Sequence, residues 1–236
     1  MRPNSGNGWC DMVLSDRDIK RYLKSGRIKI TPEPDLATQL GPCSIDLRLA
    51  NVFRVFERSR APYIDTLGAA RTDELMREVT VQVGEPFIMQ PGELVLASTY
   101  ESLELADDLL ARLEGRSSLA RLGIIVHGTA GVFEPGWRGR PTLELGNLGP
   151  MPVALHPMMR ICSFTFEELS SPSEVPYWKR ASSKYLGQKG ADASRFQSER
   201  DAEVWYRTLR APEQSPTQAP ARAAERKTTR RKGPKP

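Results

Sequence analysis

The sequence predicts a mainly β protein, a distorted roll or barrel carrying a few short helices. Three observations point there. Short apolar or alternating runs recur at 45–49, 52–56, 79–83, 94–98, 124–126, 142–145, 153–155 and 161–166. Pro-Gly, Gly-Pro and Asn-bearing turns separate them. Helical signals are few and brief. Many short strands with frequent turns favour a closed roll over a parallel sheet.

In chain order, residues 1–11 are polar and Gly-rich and read as a loose leader. MVLSDRDIKRYLKSGRI then reads as a helix. Ser15 can cap it, Asp18 completes a capping box, and Ile19, Tyr22 and Leu23 share one face. Gly26 ends it. Two helical interruptions are expected within the β region, one over 107–113 and one over 116–122, the second with Ser117 or Ser118 near its start. A last amphipathic helix is expected over 197–210, carried by SERDAEVWYRTL. Beyond it, residues 211–236 shift to Pro, Ala, Gln, Lys and Arg and read as a disordered basic tail. The main β domain is therefore expected to span 12–196.

Composition narrows the function classes. With 39% apolar and 27% charged residues in 236, the chain has the make-up of a soluble globular protein with a real core. No apolar run approaches the roughly 18–20 residues that cross a bilayer, and MRPNSGNGWCDMV lacks the apolar core of a secretory signal. A cytoplasmic protein without a membrane partner is expected. Cys10, Cys43 and Cys162 are isolated, which fits reduced thiols. The net charge of +5 belongs to the tail: 222–236 holds seven basic residues against one acid, so the body is nearly neutral. Nucleic acid is not expected to bind, except through that tail.

The chemistry concentrates between Gly115 and Asn147. GRSSLAR packs two arginines and two hydroxyls into seven residues, a set that suits a polyphosphate. Amides at a helix start would also favour an anion there. A capped surface helix with solvated arginines explains the same residues. In PTLEL, alternation puts Thr142 and Glu144 on one side of a strand and Leu143 and Leu145 on the other. Glu144 is then either a solvent-facing acid or a group placed for proton transfer. Further on, Tyr177, Lys184, Tyr185 and Gln188 supply donors on a Gly-containing segment that could close over phosphates. A zinc deaminase would need His or Cys beside a catalytic Glu, followed by PCxxC; neither is present, so no zinc is expected.

GRSSLARLG, HGTAGVFEPGWRG, TLELGN and KYLGQKG, in this order, resemble the dCTP deaminase family of the trimeric dUTPase superfamily. The likeness runs from Met12 to about Phe196 and takes in LSDRDI, SIDLRL and QPGELVLA. It implies a dUTPase-like β-roll assembled as a homotrimer, with active sites between subunits. It implies hydrolysis of dCTP to dUTP and ammonia, with magnesium on the triphosphate and no metal ligands from the protein. By motif, Glu144 takes the general acid/base position, with Ser117 and Arg121 around the base and the water. Arg116, Ser118, Tyr177, Lys184 and Gln188 fall on the triphosphate clamp, and Leu119 and Ala120 complete that matched stretch. Thr142 and Leu143 stand where the backbone reads the pyrimidine, and Glu134 where a carboxylate faces the 3′-hydroxyl of the sugar.

The departures set the alternatives. The family's usual residue at Glu134 is Asp, so a shift in sugar or base preference is one expectation. Val132 stands where monofunctional bacterial members tend to carry Arg, which points to a bifunctional enzyme giving dUMP and pyrophosphate. Ser163, where that branch often carries Gln, points the other way. Met158 replaces an expected turn glycine in HPMMRI. A non-enzymatic nucleotide-sensing module is the remaining alternative, against which Glu144, Ser117 and Arg121 argue, because a sensor needs no acid/base.

Overall fold

The computed structural model describes residues 12–57, 61–66, 72–82, 84–198, 204 and 207–209. The chain divides into two units, Met1–Glu199 and Arg200–Pro236. The expected leader and the basic tail lie outside the described residues. Of the expected helix over 197–210, residues 204 and 207–209 are helical, whereas Ser198 closes a 3-10 turn, Phe196–Ser198, of the first unit.

The first unit opens on helix α1, Asp16–Ser25, where the sequence places it. The Asp18 N–H donates to Ser15 Oγ at 3.5 Å, and Gly26, left-handed at φ 76°, donates its N–H to the Leu23 carbonyl. Asp18 does not reach back to the Ser15 amide as a capping box would; instead its carboxylate accepts from the Ser15 hydroxyl at 3.0 Å. Ile19 and Tyr22 are buried. Burial and the Glu168 carboxylate, to which it donates, hold the Tyr22 phenol above its ordinary range.

Strands dominate the remainder of this unit: β1 Ile28–Thr31, β2 Ile45–Arg48, β3 Val52–Phe56, β4 Met76–Thr80, β5 Phe87–Met89, β6 Leu94–Ser98, β7 Ser102–Leu105, β8 Leu109–Gly115, β9 Ile124–Ile125, β10 Val132–Phe133, β11 Arg138–Gly139, β12 Thr142–Asn147, β13 Val153–Leu155 and β14 Arg160–Glu168. Among the described residues two short α-helices interrupt them, α2 Leu36–Gln39 and α3 Ser117–Ala120, and a 3-10 turn, Thr72–Leu75, precedes β4. The sheets run in the orders β1-β7-β11, β10-β8-β14-β2, β4-β3-β6-β12-β9 and β13-β5, with antiparallel pairing throughout the described ladders. The mainly β expectation holds. Among the described residues, however, no sheet closes on itself within one chain. One apolar core runs through all of them, from Ile19 and Ile28 to Phe53, Leu143, Phe164 and Phe166.

Two local readings are corrected. The stretch 107–113 is not helical: after a turn at 107–108 it becomes β8, with Leu109, Ala111 and Leu113 buried in strict alternation. A period of two against β14 outweighs the good helix formers in that run. The strand expected at 79–83 lies at Met76–Thr80 instead, because β4 takes its register from β3, with Met76 opposite Phe56 and Thr80 opposite Val52.

Candidate active site

β12 is the axis of the site. It lies between β6 and β9, with Glu144 opposite Leu96. Leu143 and Leu145 are fully buried, while Thr142 and Glu144 on the other face are partly exposed, as the alternation predicts. The Glu144 backbone N–H donates to the Val126 carbonyl at 3.0 Å. Its carboxylate is oriented from the same segment: the Gly128 N–H donates to Oε2 at 2.8 Å. Oε1 has no hydrogen-bond partner among the described residues, so one oxygen is fixed and the other is available.

Glu144 and Thr142 line a cavity of about 540 Å³, together with Glu134, Tyr177 and Gln188. Five residues singled out in the sequence, drawn from three separate stretches, are thus brought together. The volume is in the range of small-molecule sites. The apolar wall comes from Phe56, Leu94, Leu96 and Trp137.

Each element of the rim has a local cause. Glu134-Pro135-Gly136-Trp137 is a tight turn closed by the Trp137 N–H on the Glu134 carbonyl at 3.0 Å, with Gly136 at φ 75°. Trp137 drops into the core and meets Phe133 edge-on at 4.7 Å. The turn leaves the Glu134 side chain half exposed, and Arg180 Nη1 donates to both its oxygens, at 3.1 and 3.3 Å. The longer side chain at this position therefore has a partner of its own.

The segment 176–195 is laid down on the sheet. The Tyr177 N–H donates to the Pro135 carbonyl at 2.8 Å, and the Gly187 N–H to that of Arg138 at 2.8 Å. Gln188 is buried; its amide donates to the Arg140 carbonyl at 2.6 Å and to Thr142 Oγ1 at 3.1 Å. Ala191 and Ala193 pack on Met76 and Leu96, a contact that anchors the segment beside the cavity. Tyr185, whose N–H donates to the Tyr177 hydroxyl at 3.1 Å, joins the lining. Asp192 and Ser194 also line the cavity and were not legible as site residues, since nothing local in ADAS marks them.

The arginine-hydroxyl stretch stands apart. Arg116 occupies the N-cap position of α3 with extended backbone, and Ser117 and Ser118 are its first helical residues. The expected helix over 116–122 is a single four-residue turn. Leu119 is buried in the core, while Ser117, Ser118, Ala120 and Arg121 are exposed. None of the residues 116–121 lines the Glu144 cavity of the same chain, nor does Lys184. Arg116 is tied to Asp46, Nε to Oδ2 at 3.1 Å, and donates from Nη1 to the Arg160 carbonyl at 2.9 Å. Among the described residues no group of three or more His, Cys, Asp or Glu side chains converges to hold a metal ion, and no helix is long and apolar enough to cross a membrane.

A family model described as dCTP deaminase-like matches residues 13–169. The chain is 64% identical over 188 residues to a dCTP deaminase of Thermomicrobium roseum, covering 80% of this chain and 95% of that one. It is 53% identical over 185 residues to a "dCTP deaminase, dUMP-forming" of Dictyoglomus thermophilum, covering 78% of this chain and 95% of that one. Among solved structures it shares its fold with a 2′-deoxycytidine 5′-triphosphate deaminase of Agrobacterium tumefaciens. The TM-score is 0.52 at 24% identity, over 67% of this chain and 48% of that one.

Proposed function

The chain belongs to the dCTP deaminase-like family, and we propose that it hydrolyses the exocyclic amino group of dCTP, giving dUTP and ammonia, at the Glu144 cavity. The observation that carries this is the Glu144 carboxylate itself, pinned through Oε2 by the Gly128 amide and turned onto a cavity that Glu134, Thr142, Tyr177 and Gln188 share. In this reading Glu144 takes a proton from a water attacking the ring's C4. It passes that proton to the ring nitrogen, then takes the remaining proton from the new C4 hydroxyl and gives it to the amino group, so that a C4=O bond replaces the C4–N bond and ammonia departs. A single carboxylate can carry both transfers because it accepts the proton in one step and donates it in the next. Thr142 and Leu143 offer β12 backbone to the pyrimidine, and Glu134 faces the sugar. The proposal is zinc-independent and rests for this on the absence of a PCxxC set from the sequence.

We assign Arg116, Ser118, Tyr177, Lys184 and Gln188 to the triphosphate, and Ser117 and Arg121 to the base and the water. In one chain Tyr177 and Gln188 line the cavity and 116–121 do not. This division favours a site completed by a second copy, within a homotrimer. Mixing inactive Glu144→Gln with inactive Arg121→Ala protein tests it: activity regained on mixing supports a shared site, and none regained under subunit exchange contradicts it. Magnesium, where bound, neutralises phosphate charge; it is assigned to the nucleotide, since it binds through phosphates and waters more readily than through all-protein cages. The unpaired thiols of Cys43 and Cys162 suit a cytoplasmic setting.

A second reading is favoured by one specific residue. Val132, 51% exposed, lines the cavity where an arginine would add charge, and one of the relatives above is named for forming dUMP. In this reading water also attacks the α-phosphorus, and pyrophosphate leaves. Incubation with dCTP and magnesium separates the two, with CTP as the control. Accumulation of dUTP with ammonia supports the first, whereas dUMP with pyrophosphate supports the second. An absence of ammonia release from dCTP would overturn both.

A further inference from the structure

We propose that Asp46 is a positioning residue for the phosphate contact, its carboxylate aiming the Arg116 guanidinium before any nucleotide arrives. The proposal rests on the reading of Arg116 as a triphosphate contact and adds the residue that sets its direction.

The sheet order creates the encounter. Within β10-β8-β14-β2, Ser163 of β14 has Asp46 of β2 on one side and Glu114 of β8 on the other. Arg116 comes two residues after Glu114, at the point where the chain leaves the sheet for α3. Its side chain folds back over the sheet edge onto Asp46, at 3.1 Å from Nε to Oδ2, with 25% and 18% of the two side chains exposed. A second bond fixes the plane of the fork: Nη1 donates to the Arg160 carbonyl at 2.9 Å. The Nη2 edge then has no protein partner among the described residues. A planar guanidinium held by Nε and one Nη1 hydrogen can still offer its other edge to a phosphate.

The charge balance fits that use. Asp46 Oδ2 also lies 3.3 Å from Arg160 Nη1, so one carboxylate serves two guanidinium groups and the cluster stays cationic. A full neutralisation would have removed the attraction for phosphate. Asp46 is itself held by its backbone, whose carbonyl accepts from Gln39 Nε2 at 2.8 Å, and Gln39 also donates to the fully buried Glu101 at 3.1 Å. Ser117, Ser118 and Arg121, by contrast, are exposed and have no such side-chain support among the described residues. Fixing a long, rotamer-rich side chain in advance lowers the ordering cost of binding.

The experiment is a binding cycle on the full chain, with dCTP, inorganic tripolyphosphate and phosphate-free deoxycytidine as probes, for the wild type, Asp46→Asn, Arg116→Ala and the double variant. Asp46→Asn should weaken dCTP and tripolyphosphate by roughly tenfold, the scale of one charge-assisted hydrogen bond. It should leave deoxycytidine binding and the kcat at saturating dCTP within about twofold of wild type. In the Arg116→Ala background the same substitution should cost nothing further. Asp46→Glu, which keeps the charge and displaces it, should show a smaller loss of the same kind and serves if Asp46→Asn does not fold. Unchanged tripolyphosphate affinity, equal weakening of deoxycytidine, or an undiminished penalty in the Arg116→Ala background would each overturn the role of Asp46. If Arg116→Ala alone left dCTP affinity intact, the parent assignment of Arg116 would fall first, and visibly so.

Discussion

Replacing Gly136 by alanine should damage both stability and substrate binding, and the structure gives the size of the damage. Gly136 sits at φ 75° in the turn beside Glu134. An added Cβ would meet Trp178 Cδ1 at 2.7 Å, Asp107 Oδ1 at 2.8 Å and Pro176 Cβ at 2.9 Å. Two of these atoms belong to a hydrogen-bonded pair, Trp178 Nε1 donating to Asp107 Oδ1 at 2.9 Å, so relieving the clash breaks that bond. Left-handed strain of about 1–2 kcal/mol adds to about 1–3 kcal/mol of overpacking. The total is roughly 4 kcal/mol, or on the order of 12 °C in Tm for a domain of this size. Gly187 is the control: its φ is 71°, but nothing lies within 4 Å of its Cβ position. Gly187→Ala should lose only the strain, about 1.5 kcal/mol and on the order of 5 °C. Thermal unfolding monitored by circular dichroism reads both. Since Pro176 and Trp178 flank Tyr177, Gly136→Ala should also raise the KM for dCTP more than Gly187→Ala does. Equal losses of Tm in the two variants would refute the steric reasoning.

Four further outcomes are expected. Burial, with Glu101 and Asp46 adding to it, pushes the Cys162 thiol well above its ordinary range, so iodoacetamide at pH 8 should label the exposed Cys43 and spare Cys162 until the protein unfolds, as peptide mass spectrometry will show. A raised folded-state pKa supports stability below the unfolded value, so stability should fall as pH rises above about 8.5, by up to about 1.4 kcal/mol per unit from this group; Cys162→Ala should flatten that slope, and an unchanged slope contradicts the assignment. The Glu134–Arg180 pair is half exposed and contributes at most about 1 kcal/mol, so Arg180→Ala should shift Tm by under roughly 4 °C. Glu134→Ala, in contrast, should narrow the preference for dCTP over its 2′,3′-dideoxy analogue by about tenfold, and an unaltered ratio would remove Glu134 from the sugar contact.

How much a sequence reveals depends on which interactions are local. Ser15 and Gly26 punctuate α1 as read, and β12 shows its two faces in the alternation of PTLEL, because caps and period-two patterns are written in adjacent residues. β8 is hidden by the helix-forming run LLARLE, whose strand state is imposed by β14 from about fifty residues away. β1, β5, β7, β10 and β11, each two to four residues long, are defined only by their partners and carry too little pattern to be read singly. In the site, Glu144, Glu134, Thr142, Tyr177 and Gln188 can be named from the sequence and do share a cavity. That Gln188 is buried against Arg140 and Thr142, rather than free on a loop, is not legible there, since its partners lie more than forty residues upstream. The same holds for Arg180 on Glu134 and Asp46 on Arg116, which join distant stretches by charge.

The central claim is that Glu144 moves the protons of a dCTP deamination, and ammonia release from dCTP by wild type and Glu144→Gln is the measurement that tests it most directly. Glutamine keeps a carbonyl oxygen for the Gly128 amide, which donates to Glu144 at 2.8 Å, so the variant should fold and bind dCTP as wild type does. Its kcat should drop by about 10²–10⁴-fold, the usual contribution of a positioned acid/base. One ammonia per dCTP consumed by wild type and almost none from the variant is the predicted result. Near-normal release by Glu144→Gln would contradict the account.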